Sequence, residues 1–261
     1  MTSVDDVKDN LNTILFLLGQ LAAEEVSAVF FPENCLYMRL LEGEKIKGFE
    51  IHHEAFKVLG EWSRKNKTFI HLGSVPILEM GTLFNGSIWI DKSGQAQVSY
   101  KKMHLFDIHL ENQKAIKESD VFKHGAGPQV LELENWKIGQ SICYDLRFSE
   151  LYHYYAKVNV DAVLVPSAFL VKTGQAHWEI LLRARAIESQ CYVIASAQVG
   201  LHKSPRGQRE TYGHASVIDP WGQVLVELQN SPEIKIVELQ KSRVQAVRNQ
   251  IPMKNHRRDF F

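Results

Sequence analysis

A single α/β domain with mixed sheets is the architecture predicted for this chain of 261 residues. Three observations carry that expectation. Helix-period apolar segments alternate with short apolar runs, a glycine-turn hairpin adds antiparallel pairing, and no repeat, linker or low-complexity tract divides the chain. With 45% hydrophobic residues, one domain spanning residues 1–261 can bury a sizeable core.

Ser3 and Asp6 have the spacing of a capping box, and Leu11, Ile14, Leu15, Leu18, Leu21 and Ala22 follow at helical spacing. A strand over 28–31 comes next. An amphipathic helix over 49–65 then turns Ile51, Phe56, Val58, Leu59 and Trp62 inward, and a strand runs over 68–75. Strands over 84–91 and 95–101 flank "KSG", a hairpin turn with glycine where φ must be positive. Further on, the pattern gives a strand over 136–142, a helix over 148–156, a strand over 162–165, a long helix over 175–190 and a strand over 191–197. Two last strands, 214–218 and 223–227, flank "DPWG".

Thirty acidic and thirty basic side chains cancel, and no Lys/Arg block appears, which argues against a nucleic-acid partner. No apolar run has the length of a bilayer span and no signal-peptide pattern opens the chain, so the expectation is a protein without a membrane partner. Cys35, Cys143 and Cys191 are widely spaced with no CxxC pair. That spacing argues against a disulfide framework or zinc knuckle and points to a reducing, cytoplasmic setting.

The stretch "GQSICYDLRFSE" places Cys143 between a strand and a helix. A buried strand cysteine is often only a small hydrophobe. A nucleophile at such an elbow, however, is held out of the sheet with the N–H of the next residue, Tyr144, aimed at the same spot, ready to hold an oxyanion. "GQSIC" imitates a serine-hydrolase elbow but lacks the final glycine, and Ser141 falls within the strand. A thiol needs a base. Glu33 in "FFPENC" follows an apolar strand and a proline, and Lys102 in "YKKMHLFD" follows a strand in apolar company, where it would need an anionic partner and could polarise an oxyanion.

These stretches, with "DPWGQVL", resemble the nitrilase superfamily of carbon-nitrogen hydrolases over nearly the whole chain. The resemblance implies a four-layer αββα sandwich and a Glu33-Lys102-Cys143 triad that cleaves a linear amide through a thioester, releasing ammonia, with no metal or organic cofactor. It also implies an assisting role for Glu118, sixteen residues after Lys102. "PSAFLVKTGQAHWEILLRARAIESQCYVIASAQVG" is most similar to deaminated glutathione amidases, and less so to omega-amidases acting on 2-oxoglutaramate. By that likeness Arg147 pairs with a substrate carboxylate while Phe169 and Thr173 line the pocket. Without it, Arg147 could bridge to Asp145 or Glu150, Phe169 could be core, and Thr173 could cap the following helix. The resemblance also implies pairing through the helix after the nucleophile, here with Tyr152, Tyr154 and Tyr155, and through a tail such as "HRRDFF", so a homodimer is the expectation, with a tetramer as the alternative. Superfamily members also open with an apolar strand before the segment matching "TSVDDVKDNLNTI", so the expectation is a start upstream of Met1.

Two alternatives remain open at this level. One is a Cys-His hydrolase using His104, His177 or His214 as base, which leaves Glu33 and Lys102 unexplained. The other is a catalytically silent scaffold of the same fold.

Overall fold

The computed structural model describes residues 1–21, 24–41, 43–109 and 116–258. In chain order the elements are α1 (Val7–Gly19), β1 (Ala28–Phe30), α2 (Glu54–Asn66), β2 (Phe69–Glu79), β3 (Thr82–Ile90), β4 (Ala96–Lys101), β5 (Asp107–Ile108), β6 (Ile116–Lys117), β7 (Val130–Leu133) and β8 (Trp136–Gln140). They continue as α3 (Ser149–Lys157), β9 (Ala162–Leu164), α4 (Val171–Ser189), β10 (Tyr192–Ala195), β11 (Val199–Ser204), β12 (Gly207–Tyr212), β13 (Ser216–Ile218), β14 (Val224–Glu227), α5 (Lys241–Gln250) and α6 (Met253–His256).

Two main sheets form. One has the order β1-β2-β3-β4, with β1 parallel to β2 and the rest antiparallel. The other has the order β14-β13-β10-β9-β8-β7, parallel at its centre and antiparallel at both flanks. Period-2 alternation sorts the side chains. On the first sheet, Ile70, Leu72 and Ile88 meet Ile14 and Leu18 of α1 and Phe56 and Leu59 of α2. Phe69 and Trp89 point the other way, onto Leu131, Ile138 and Leu164 of the second sheet. The outer face of that sheet, with Val163 and Val193, packs under Tyr152 and Tyr155 of α3 and Trp178 and Leu182 of α4. The layers therefore run helix, sheet, sheet, helix, which is the αββα sandwich expected. Among the described residues no helix is long and apolar enough to cross a membrane.

Several expectations need correction. Asp6, not Ser3, caps α1, accepting from the Asp9 N–H; Ser3 is buried and its hydroxyl donates to the Cys35 carbonyl. Residues 49–53 are not helical, because Phe49 bridges to Ile77 and donates to the Pro76 carbonyl; His53 Nδ1 then caps the start of α2 at the Ala55 N–H. α4 begins four residues early, at Val171. Gly174 hides that start by its poor helix propensity, yet a Cβ there would sit 2.3 Å from the Tyr212 ring. Tyr152 and Tyr155 are buried, their hydroxyls bonded to Ser141 and to the Gln140 carbonyl; only Tyr154 of the three is exposed. Ala22 and the last three residues of "HRRDFF" lie outside the described residues.

The outer edge of β1 pairs with no strand among the described residues and borders an apolar groove of about 630 Å³ that includes Met1, Val29, Ala197 and Val226. Gly73 of β2 lies beneath the chain that leads into Glu33, where a Cβ would come 2.2 Å from the Phe31 carbonyl oxygen and 2.4 Å from Pro166. Both contacts are to rigid groups, so Gly73→Ala is expected to lower the unfolding free energy by about 1–3 kcal/mol. Urea denaturation read by tryptophan fluorescence measures this, and an unshifted midpoint would contradict it.

Candidate active site

The elbow is built by backbone geometry. β8 ends at Gln140, Ile142 is extended, and Cys143 opens a 3-10 turn, Cys143–Arg147, with φ at 49°. This left-handed conformation costs a non-glycine residue about 1–2 kcal/mol. Surrounding bonds impose it: the Cys143 N–H donates to the Pro166 carbonyl at 2.9 Å. Buried Asp145 accepts from the Ile142 N–H (2.9 Å), the Tyr100 hydroxyl (2.8 Å) and the His104 N–H (2.9 Å), and lies 2.7 Å from His104 Nδ1. Tyr144 sits at the amino end of the turn, where N–H groups lack intrahelical acceptors.

Glu33, just past β1, meets Lys102, just past β4. Lys102 Nζ donates to Glu33 Oε1 and to Glu118 Oε2, both at 2.9 Å. Backbone donors fix both carboxylates: Glu33 Oε2 accepts from the Ala168 N–H at 2.9 Å, and Glu118 Oε2 accepts from the Phe106 N–H at 2.7 Å as well as from Lys102. Burial opposes the Lys102 ammonium, but the carboxylates of Glu118 and Glu33 outweigh it and hold its proton affinity well above the ordinary lysine range. The Cys143 thiol is displaced upward, first by burial and then by the Glu33 charge, with Lys102 opposing. Its proton is therefore held more tightly than that of a free thiol.

Glu33, Lys102, Cys143 and Glu118 line one cavity of about 270 Å³. Tyr144, Arg147, Phe169 and Thr173 form part of the same wall. Arg147 bridges to neither Asp145 nor Glu150: it contacts His177 Nδ1 at 3.1 Å and lies over the rings of Tyr144 and Phe169. Phe169 is both cavity wall and core, packed on Trp178. Thr173 is within the first turn of α4 and donates to the Leu170 carbonyl. The larger groove beside β1 contains no cysteine, so chemistry and not size selects this cavity. Cys35 and Cys191 are buried off its wall, and burial raises each thiol to about 12. Ser141, too, is buried behind the elbow, bonded to Tyr152 and Leu164. His104 faces Asp145 and His214 faces Glu227, while none of His104, His177 and His214 lines the cavity.

The family profile described as carbon-nitrogen hydrolase matches residues 1–249. The chain belongs to the carbon-nitrogen hydrolase family. A deaminated glutathione amidase of Synechocystis is 36% identical over 263 residues, covering 98% of this chain and 95% of that protein. An omega-amidase of Danio rerio is 32% identical over 257 residues, covering 96% and 90%. The crystal structure of the Caenorhabditis elegans NitFhit protein superimposes with a TM-score of 0.88 at 33% identity, covering 99% of this chain and 63% of that one.

One member of this carbon-nitrogen hydrolase site escaped the sequence reading. Asn85 of β3 is buried, and its Nδ2 donates to Glu33 Oε1 at 3.1 Å and to Glu118 Oε1 at 2.8 Å, bridging the two carboxylates. The available signal was an amide inside an otherwise apolar strand, "LFNGSIWI".

Lys102→Met would leave two carboxylates facing each other without their cation. Loss of about 3–5 kcal/mol of unfolding free energy is expected; chemical denaturation of the variant measures it. Because the thiol is displaced upward, alkylation of Cys143 by iodoacetamide in the absence of substrate should keep accelerating with pH beyond the usual thiol range of about 8–9. A plateau near neutrality, read by mass spectrometry of the Cys143 peptide, would contradict this.

Proposed function

We propose that the protein is an amidase that cleaves a linear amide through a Cys143 thioester, with deaminated glutathione as its substrate. The observation that carries the reading is the convergence of a buried thiol, a carboxylate and an ammonium on one cavity wall. Glu33 takes the thiol proton as Sγ attacks the carbonyl carbon, and the tetrahedral oxyanion is held by Lys102 and the Tyr144 N–H. An ammonium has three donors, and two are already engaged by Glu33 and Glu118, so one remains for the oxyanion. Glu33 then returns the proton to the departing nitrogen. Water, deprotonated by Glu33, attacks the thioester, expels the thiol and yields the carboxylate. Glu118 acts through Lys102 by fixing its direction.

The substrate reading draws on the Synechocystis relative and on Arg147, a guanidinium stacked on the cavity's aromatic wall and suited to a 2-oxo acid terminus. Free 2-oxoglutaramate is the second reading, favoured by the Danio rerio relative. Ammonia as leaving group fits only that primary amide. The bond joining the 2-oxoglutaramate-like unit to cysteinylglycine is a secondary amide, so its leaving group is the dipeptide amine. Three buried free thiols suit a reducing cytoplasm. Exposed Tyr154 on α3, with exposed Ile180 and Ile187 on the adjoining α4, suits pairing of two copies.

The test compares release of the 2-oxo acid product from deaminated glutathione and 2-oxoglutaramate, and hydrolysis of a nitrile and an N-carbamoyl amino acid. Fastest turnover of deaminated glutathione and negligible turnover of the last two are expected. Preference for the carbamoyl compound would refute the substrate. Cys143→Ala should be inactive yet folded, and activity in it would refute the thioester route. Near-normal turnover by Glu33→Gln would favour a histidine base.

A further inference from the structure

The catalytic cavity has a second cationic wall that the reaction above does not use. Arg39, on the segment after Glu33, and Arg209, on β12, both line it, as do Tyr37 and Gln208. The turn between β11 and β12 presses this wall together: at Gly207 a Cβ would lie 2.5 Å from the Leu40 carbonyl oxygen, so the hairpin tip rests on the chain beside Arg39. Arg209 shares its strand face with Thr211, whose buried hydroxyl meets His202 Nε2, so the guanidinium side of the hairpin is turned inward.

The guanidiniums of Arg39 and Arg209 form no ion pair or hydrogen bond with any described residue, although the Arg209 backbone pairs with His202 in the β11–β12 ladder. The acids close by are already taken. Arg206, at the hairpin tip, holds Glu44 at 2.6 Å and Asp5 at 3.7 Å, and Asp5 also accepts from the Ser204 hydroxyl. Burial lowers the proton affinity of Arg209; the charges of Glu33, Cys143 and Glu118 act on it in the opposite sense, and Arg39 repels it. Those interactions put the guanidinium within electrostatic reach of the reacting groups. Among the described residues the cavity is lined by Lys102, Arg147, Arg39 and Arg209 against only Glu33 and Glu118, an excess of two positive charges. An anionic group on one side of the scissile amide satisfies Arg147, and the other guanidiniums still face the cavity without a counter-charge.

We propose that Arg209, with Arg39 beside it, binds a carboxylate on the amine half of the substrate, so that the enzyme selects amides carrying an anionic group on both sides of the scissile bond. This rests on the amidase reading above and deepens it. In deaminated glutathione the second carboxylate is the glycyl terminus of the leaving dipeptide. Free 2-oxoglutaramate has none, so the same wall would set the preference between the two substrates. After cleavage the amine product keeps its carboxylate on Arg209 while the acyl half stays on Cys143, which orders release: the dipeptide leaves before water reaches the thioester.

The experiment uses the full chain, as wild type, Arg209→Gln and Arg209→Lys, with three amides: deaminated glutathione, the same compound with its glycyl carboxylate capped as a primary amide, and 2-oxoglutaramate. Capping should raise the wild-type KM by about ten- to a hundredfold, the range of a lost charge-assisted bond, with a smaller change in kcat. Arg209→Gln should show the same rise on the free acid and little further loss on the capped compound, with Arg209→Lys in between. Its effect on 2-oxoglutaramate should be smaller by about tenfold or more. Equal wild-type turnover of capped and free compounds, or equal loss by Arg209→Gln on all three, overturns the proposal. The capping arm needs no variant to fold. If the wild type hydrolyses neither deaminated glutathione nor its capped form, the substrate reading fails, and Arg209 is judged on Cys143 alkylation alone. The rate ratio of anionic iodoacetate to neutral iodoacetamide should fall several-fold in Arg209→Gln, and an unchanged ratio overturns the assignment.

Discussion

One buried ammonium organises this molecule's chemistry. Lys102 is almost wholly enclosed, and its charge is tolerable there only because Glu33 and Glu118 flank it. The dependence runs both ways, since two enclosed carboxylates facing each other would be equally costly without it. Each acid is further tied to the frame, Glu33 to the Ala168 amide and Glu118 to the Phe106 amide, with Asn85 spanning both. The cluster is therefore a connected polar network in which all four carboxylate oxygens are bonded, which leaves the two acids little freedom.

The Cys143 elbow depends on a different hub. Asp145 gathers donors from Ile142, Tyr100 and His104, and so binds the elbow to the end of β4 and to the loop that follows Lys102. Strain at Cys143 is sustained by these bonds and by the Pro166 carbonyl, not by the residue's own preference. His104, stacked on Phe148 with ring centroids 3.7 Å apart, belongs to this support.

Most of the architecture could be read from apolar periodicity, because both sheets are covered by helices and their strands carry clear alternation or continuous apolar runs. Elements with only one covered face were illegible. The β11–β12 hairpin reads as "GLHKSPRGQRET", with Leu201 its only large apolar residue, and α5 has only Val244 and Val247 buried. The three tyrosines of α3 misled for a related reason. A phenol can be core when its hydroxyl finds a partner, and the partners of Tyr152 and Tyr155 lie on β8 and just past it, off the helix itself and so invisible to its own periodicity. In the site, Glu33, Lys102 and Cys143 were visible because each follows a strand, where a side chain can leave the sheet. Asn85 sits within a strand and betrays nothing of the two carboxylates it joins. Arg209 was hidden in the illegible hairpin.

The bond between Glu33 and the Ala168 amide spans 135 residues of sequence and two different sheets. Contacts of such range form late, after the entropy of closing the loop has been met by burial elsewhere. During synthesis, the half of the chain bearing Glu33, Lys102 and Glu118 emerges before the segment that anchors Glu33. Assembly of the site is thus coupled to completion. A chain whose sheets have not docked leaves Cys143 unenclosed, and thiol, carboxylate and ammonium share one wall only when the sandwich has closed.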